Sequence, residues 1–426
     1  MPFIKGEKFS RDSNGKYSDF VQLSFKLGIV NKVNAHNLPE GALLDAINVD
    51  IDNQGKVKRR KNYKKIISGN CNSLFSDSNG IGYMIKNNVL VKINQNFTTK
   101  VIENGFPPNT KLSYCEVNQE IYYSDSNNTT GKINKHGNYD KWSLDSPQMP
   151  PIVIQTQEDG GLKAGKYLVC YTYLYGTYET GCSQYNAFTV EKDGSSLFVE
   201  CFPNSFSTNA NIYITPINSE IAGLHSTGYT ATISDTNSLK RNIKKEVATG
   251  FPALSNLSYS NGRIFGTRDN YIFWTLPLDY RQFEPAKNGL AVDTPILIFV
   301  SVQEGFWVVT QTSTYFLKGN DTESMVLELM LPYGAIKGTL FYDEDKKTVG
   351  WLSTNGYIVA DGYGKIENLT SNTVDFPKNY INGAALFRKD NGIKQVIFSL
   401  VGEGQATSYE TKEYRDNQYD IWFRMN

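Results

Sequence analysis

Short apolar and aromatic runs, broken by Gly- and Asn-rich turns, recur along most of this chain, and that punctuation restricts it to folds made of small antiparallel sheets. Gly82-Tyr83-Met84-Ile85 and Val89-Leu90-Val91-Lys92-Ile93 flank Lys86-Asn87-Asn88, and residues 111–117 and 120–124 flank Asn118-Gln119. After residue 250 the texture returns: 259–265 with 271–274, 296–302 with 306–310 and 314–317, 348–352 with 357–360, and 384–387 with 395–400. The hairpins repeat at about 30–40 residues in the first half and about 40–50 in the second, which is blade-like spacing. The pattern predicts an all-β chain, a β-propeller of roughly five or six blades. No WD or kelch consensus is present.

Composition narrows the function. At 426 residues the chain exceeds one ordinary domain. Lys plus Arg and Asp plus Glu both number 43, so no bulk electrostatic coating of nucleic acid is expected. With 27 Tyr and 23 Phe it is unlike aromatic-poor disordered chains. Three scattered histidines, His36, His136 and His225, give little material for His-rich metal sites or triads. Cys71, Cys115, Cys170, Cys182 and Cys201 contain no CxxC and signal neither a disulfide framework nor a zinc ribbon. Cys170 and Cys201 lie in apolar runs and read as small buried hydrophobes. The first 32 residues lack the apolar core of a secretory signal, and the longest apolar runs, such as 296–300, are strand-sized. No membrane insertion by this chain is expected.

Four textures suggest four segments: 1–65, an N-terminal docking segment; 66–146, the first blades; 147–249, an inserted β-sandwich; and 250–426, the remaining blades and a C-terminal tail. Within the first, residues 38–48 are the best short helix candidate. Pro39 suits a helix start, Glu40 the first turn, and Leu43, Leu44 and Ile47 make an apolar stripe. Residues 49–57 alternate and turn, predicting a hairpin with Asn53-Gln54-Gly55 at its tip. Its returning strand carries Lys58-Arg59-Arg60-Lys61. Residues 1–65 hold 13 Lys/Arg against 7 Asp/Glu, a net of +6, so the remainder sums to −6. The neutral total conceals a basic first segment.

The local motifs read mostly as turns. Gly160 to Tyr167 fits G-x-x-x-x-G-K but ends in Tyr, and a strand pattern follows where a phosphate-binding loop needs a helix. Asp50-x-Asp52-x-Gln54-Gly55 imitates a calcium loop, yet its twelfth position is Lys61 rather than a bidentate Glu. Asp12-Ser13-Asn14-Gly15 and Asp77-Ser78-Asn79-Gly80 are one turn phrase written twice. Asp343-Glu344-Asp345 before Lys346-Lys347 reads as a solvated turn. No G-x-S-x-G, H-E-x-x-H or Cys/His cluster occurs, so no enzyme, metal or cofactor is expected.

The run from Leu38-Pro39-Glu40-Gly41 through Asn48-Val49-Asp50 to Lys58-Arg59-Arg60 resembles the opening of tail nozzle proteins of short-tailed bacteriophages, the tail tubular protein B family, and related tail-hub or DNA-stabilisation proteins. Residues 164–167 through Glu179-Thr180-Gly181 are similar to the fibronectin-type insert of such proteins. Asn261-Gly262-Arg263-Ile264-Phe265, Glu304-Gly305-Phe306-Trp307-Val308-Val309-Thr310 and Asn355-Gly356-Tyr357-Ile358-Val359 are similar to their blades. The resemblance spans most of residues 28–400. It implies a structural virion protein, made in the host cytoplasm and assembled as a ring, typically a hexamer, below the portal and adaptor. Other tail proteins would be its neighbours. The ring would line the channel for DNA retention and ejection, with transient non-specific DNA contact. Subunit or adaptor docking falls on Leu38, Pro39, Glu40, Asp45, Asn48, Lys56, Lys58, Arg59, Arg60 and Lys61. A −6 remainder would repel phosphate along a lumen. The rival classes are a fibre-adaptor or receptor-binding propeller facing carbohydrate, and a polysaccharide depolymerase, which needs two convergent carboxylates.

Overall fold

The computed structural model describes residues 10–11, 17–18, 24–46, 49–52, 54–59, 65–156, 160–319, 322–376, 380–390, 393–402 and 419–424. These residues are all-β, in many small antiparallel sheets; the helical content among them is one short 3-10 turn, Ala35–Asn37. The chain forms two compact units: Met1–Asn72 with Ile93–Thr99 and Val292–Asn426, and Ser73–Lys92 with Lys100–Ala291.

Strands follow one another in chain order across two four-stranded sheets, one spanning residues 71–103 and one, in the second unit, spanning residues 113–140. A third four-stranded sheet, residues 255–291, pairs Ser255–Ser260, Arg263–Arg268, Tyr271–Trp274 and Gly289–Ala291. Alternation places aromatics inward. Trp142 is fully buried, packs edge-on to Tyr122 at 5.2 Å, and donates its indole N–H to the Tyr280 carbonyl at 2.6 Å. Backbone N–H groups of Leu254 and Leu257 donate to the Ser124 and Ser113 hydroxyls at 2.8 and 2.7 Å. Strands more than a hundred residues apart in sequence are thereby joined in one core.

Between them lie a three-stranded and a five-stranded sheet sharing a second core. The eleven-residue strand Gly165–Tyr175 pairs with Asn209–Ile214 on one side and with Tyr178–Cys182 and Asn186–Val190 on the other. Its odd-numbered residues Tyr167, Val169, Tyr171 and Tyr173 meet Leu197, Val199, Ile212 and Ile233. Period-two alternation dictates this, because successive side chains of a strand point to opposite faces. Cys170 and Cys201 are buried, as expected. The region is pinched at its ends, where the Ser146 hydroxyl donates to the Ala248 carbonyl at 2.7 Å and Gln282 donates to Ser146 Oγ at 3.1 Å.

The first unit repeats the meander in Ile296–Val302 through Val326–Leu331 and in Phe341–Asp343 through Ile366–Asn368, followed by the long hairpin Tyr380–Asp390 and Ile393–Gly402. Trp307 and Trp351 lie 6.1 Å apart in its core, and the Trp307 indole donates to the Asp361 carbonyl at 2.8 Å.

One loop recurs under different sequences. At Asp52, Asp77, Asp125, Asn134 and Asp361 the side-chain Oδ1 accepts the backbone N–H groups two and four residues ahead at 2.8–3.2 Å. The backbone N–H of the same residue donates to the carbonyl four ahead. Asp77-Ser78-Asn79-Gly80 is such a turn, whereas Asp12-Ser13-Asn14-Gly15 lies outside the described residues. Residues 160–162 bond the backbone of Gly194, Ser195 and Ser234 in place of the expected turn, and the strand that begins at Gly165 follows.

Two expectations are corrected. Residues 38–46 are not helical. Ala42 N–H donates to the Pro39 carbonyl at 3.1 Å, Gly41 takes φ +84°, and Ala42–Leu43 pairs in parallel with Gly28–Ile29. A positive φ at the third turn position ends any helix, and only glycine adopts it freely. The 343–345 turn is not wholly solvated either. Asp343 is 1% exposed, and its Oδ1 accepts the Asp345 N–H at 3.1 Å.

Candidate functional site

Residues 24–30 bring the expected docking residues together. Leu27 N–H donates to the Gly41 carbonyl and Val30 N–H to that of Leu43, at 2.9 and 2.8 Å, which fixes the turn carrying Leu38, Pro39 and Glu40. Upstream, Phe25 N–H donates to the Gly55 carbonyl at 2.7 Å and Ser24 Oγ to the Gln54 carbonyl at 2.7 Å, which fixes the tip of the hairpin Val49–Ile51 and Val57–Arg59. Gly55 permits this approach: it has φ +79°, and a Cβ there would lie 2.4 Å from Ser24 Oγ and 2.7 Å from two backbone nitrogens. Downstream, Asn31 N–H donates to the Thr373 carbonyl at 2.9 Å, and its side chain exchanges bonds with the Asp375 backbone. The segment thus docks on its own unit as well.

Leu38 is half-buried; Pro39, Glu40, Asp45, Lys56, Lys58 and Arg59 are exposed, and Asn48, Arg60 and Lys61 lie outside the described residues. Asp52 organises the hairpin. Beyond the two N–H bonds to Oδ1, its Oδ2 pairs with Lys58 Nζ at 3.0 Å. Lys58 and the Lys56 N–H pull the carboxyl from 3.8 to about 2. The Asp52 carboxylate of the calcium-like motif therefore serves backbone N–H groups and an ammonium. Among the described residues of the segment, Arg11, Lys26, Lys32, Lys56, Lys58, Arg59 and Lys65 stand against Glu40, Asp45, Asp50 and Asp52, so they carry half of the basic excess of residues 1–65.

A second polar centre went unread in the sequence. Glu179 Oε1 accepts from Thr172, Asn211 and Tyr213, each at 2.7 Å, and Oε2 pairs with Arg241. Burial pushes this carboxyl up, but the bonds from Asn211, Thr172, Tyr213 and Arg241 outweigh it and hold it below its usual 4.5. Beside it, Asp279 accepts from Tyr178 OH at 2.7 Å and pairs with Lys245, whose ammonium stands 4.3 Å from the Tyr178 ring centroid. The Glu179 oxygens are already occupied by four donors, so this centre is a brace rather than a general acid or base. Around Asp343, Lys394 Nζ reaches Asp345 at 2.8 Å and Lys389 Nζ reaches it at 2.6 Å, which is again ion pairing between strands. No set of three or more potential metal ligands occurs among the described residues, and none of their helices is long and apolar enough to cross a membrane.

No protein-family profile matches the chain, and no curated protein matches it. Among solved structures it is similar to BBS1N, determined in complex with ARL6DN, at 9% identity and a TM-score of 0.30, over 84% of this chain and 93% of that one. Hsv2 of Kluyveromyces lactis is similar at 9% identity and a TM-score of 0.28, over 80% of this chain and 94% of that one. AztD of Citrobacter koseri follows at 11% identity and 0.26, over 71% and 88%. Scores this low leave the fold to be read from the chain's own strands.

Proposed function

We propose that the protein is a structural component of a tailed-phage virion: a nozzle or hub ring below the portal and adaptor, through which DNA is retained and released. The observation that carries this reading is the opening segment. Residues 38–46, 49–52 and 54–59, within the stretch that resembles the opening of nozzle proteins, form a built element with Pro39, Glu40, Lys56, Lys58 and Arg59 exposed. The repeated meanders support a propeller of five or six blades, and the two sheets around Gly165–Tyr175 support a fibronectin-III-like insert. Glu179, Asp279, Asp343 and Asp345 are all engaged in bonds within the protein, which favours a constructional over a catalytic role. In this reading the chain forms a homo-oligomer, typically a hexamer, contacts other tail proteins, and touches DNA only transiently, with the −6 balance of residues 66–426 repelling phosphate. Light-scattering mass of the purified chain with its adaptor tests it. A sixfold ring is expected; a trimer would favour a fibre-type protein. Particle reconstruction with residues 38–59 touching no other subunit would overturn the docking role.

A further inference from the structure

Asparagine followed by glycine is a labile pair, because glycine lets the next peptide nitrogen swing onto the asparagine side chain with no Cβ in the way. The chain contains eight such pairs, of which six lie among the described residues. The attack needs a peptide N–H that no other acceptor holds and an asparagine that can turn. Five of the six pairs are held. Gly80 N–H donates to the Asp77 carbonyl at 3.0 Å inside its turn. Gly383 N–H donates to the Lys337 carbonyl at 2.8 Å, and its strand pairs with Ile393–Gly402. Asn288 is 7% exposed, its Oδ1 accepts the Glu284 N–H at 2.7 Å, and Gly289 opens a strand opposite Phe273. The Asn355 carbonyl accepts the Asn368 side-chain amide at 2.9 Å, and Gly356 is buried at the start of a strand. Asn261 takes φ +43° in a tight hairpin turn, and the Gly262 carbonyl accepts the Leu278 N–H at 2.8 Å.

Asn104–Gly105 differs from all five. Both residues are exposed, and they lie just beyond the strand Thr99–Glu103. Neither the Asn104 side chain nor the Gly105 N–H bonds a protein group among the described residues. Gly105 takes φ +87°, and nothing lies within 4 Å of where a Cβ would stand. The residues on either side are anchored. Glu103 accepts the Tyr123 hydroxyl, and buried Phe106 donates its N–H to the Asn88 carbonyl at 3.2 Å. Freedom is thus confined to the labile pair itself.

We propose that Asn104 is a site of self-modification by deamidation. The Gly105 nitrogen bonds to Asn104 Cγ, the Cγ–Nδ2 bond breaks, and Nδ2 leaves as ammonia with the proton lost from Gly105. A cyclic imide results, and water opens it in one of two ways. Opening at the side-chain carbonyl leaves aspartate on a normal backbone. Opening at the main-chain carbonyl leaves isoaspartate, with the backbone routed through Cβ. Either product puts a carboxylate where a neutral amide stood, and isoaspartate also lengthens the main chain by a carbon between the anchors at Glu103 and Phe106. The assignment goes beyond the ring reading and does not depend on it.

Incubating the purified full chain at mildly alkaline pH tests it, with peptide mapping by a fragmentation method that separates isoaspartate from aspartate. In native buffer Asn104 is expected to convert at least tenfold faster than Asn79, Asn261, Asn288, Asn355 or Asn382, with isoaspartate among the products. In urea, where the fold holds none of them, the six rates should converge. A native lead of less than tenfold over any of the five would overturn the proposal, as would conversion without isoaspartate. A tenfold lead that persisted in urea would assign the effect to local sequence and overturn it as well.

Discussion

The strand Gly165–Tyr175 and the hairpin of residues 49–59 both hold strands in register, but by different physics. The first is fixed by apolar burial: Tyr167, Val169, Tyr171 and Ile212 are each at most 1% exposed. The second buries no side chain among its described residues; Val49, Ile51 and Val57 are half-buried, and only Gly55 is fully enclosed. It is held by backbone bonds to residues 24–25 and by the Asp52 carboxylate. Burial is non-directional and tolerates compensation, whereas a glycine-dependent contact is all or nothing at one position. The comparison teaches that the hairpin should be altered by conditions that leave the strand Gly165–Tyr175 unchanged.

The largest test falls on the sandwich. Ile212→Ala should lose about 2–5 kcal/mol in denaturant unfolding, the range for emptying a packed core. A loss near the roughly 0.5 kcal/mol of a surface change would mean that alternation alone misjudged this core. Glu179→Gln should lose about 1–3 kcal/mol, because it leaves the Arg241 guanidinium without its anion. Glu179 is held below 4.5 in the fold, so its contribution is complete above that value and drains away as pH falls through the lower folded value. Acid unfolding followed by circular dichroism should be flatter in the Gln variant.

The remaining tests address the hairpin. Gly55→Ala should raise hydrogen exchange at Gln54 and Lys56 while leaving residues 165–175 protected. The left-handed backbone alone opposes alanine by roughly 1–2 kcal/mol, and the approach of Ser24 adds to it. Equal loosening of both regions would abolish the distinction drawn here. The smallest effect is acidification. Asp52 has its carboxyl lowered from 3.8 to about 2, so its hold on Lys58 is complete above 3.8 and fades as pH falls toward 2. NMR shifts of the Gln54 and Lys56 amides should move in that window alone; movement near neutrality would assign the hold to another group.

Alternation made the sandwich legible: Tyr167, Val169, Tyr171 and Tyr173 are spaced by two and point inward together. The turn at Pro39–Ala42 was not legible as one, because Leu43, Leu44 and Ile47 also satisfy a helical stripe. The discriminating signal was Gly41, whose positive φ is incompatible with that helix. The Glu179 brace draws on partners 32, 34 and 62 residues away, a convergence that no local pattern encodes. Asp343 was misjudged for a related reason. Its acidic neighbours suggest solvent, but the turn buries it, with Oδ1 accepting the Asp345 and Lys346 N–H groups and Oδ2 left without a hydrogen-bond partner among the described residues. Of the docking residues, composition identified the charges but not that Lys58 is already paired within its own hairpin.

The pinch at Ser146 and Ala248 has a consequence for the order in which the chain folds. The sheet of residues 113–140 shares a core with strands that begin near residue 250, so on a growing chain it waits for partners about a hundred residues behind it. If the intervening sandwich folds first, its two ends are already drawn together at that neck. The long search then becomes a short one, because closure entropy and folding time both grow with the length of free chain between partners. These two intervening sheets would then act as a timing element: loosening their neck should delay the packing of residues 113–140 against the strands after residue 250 without changing any contact inside them.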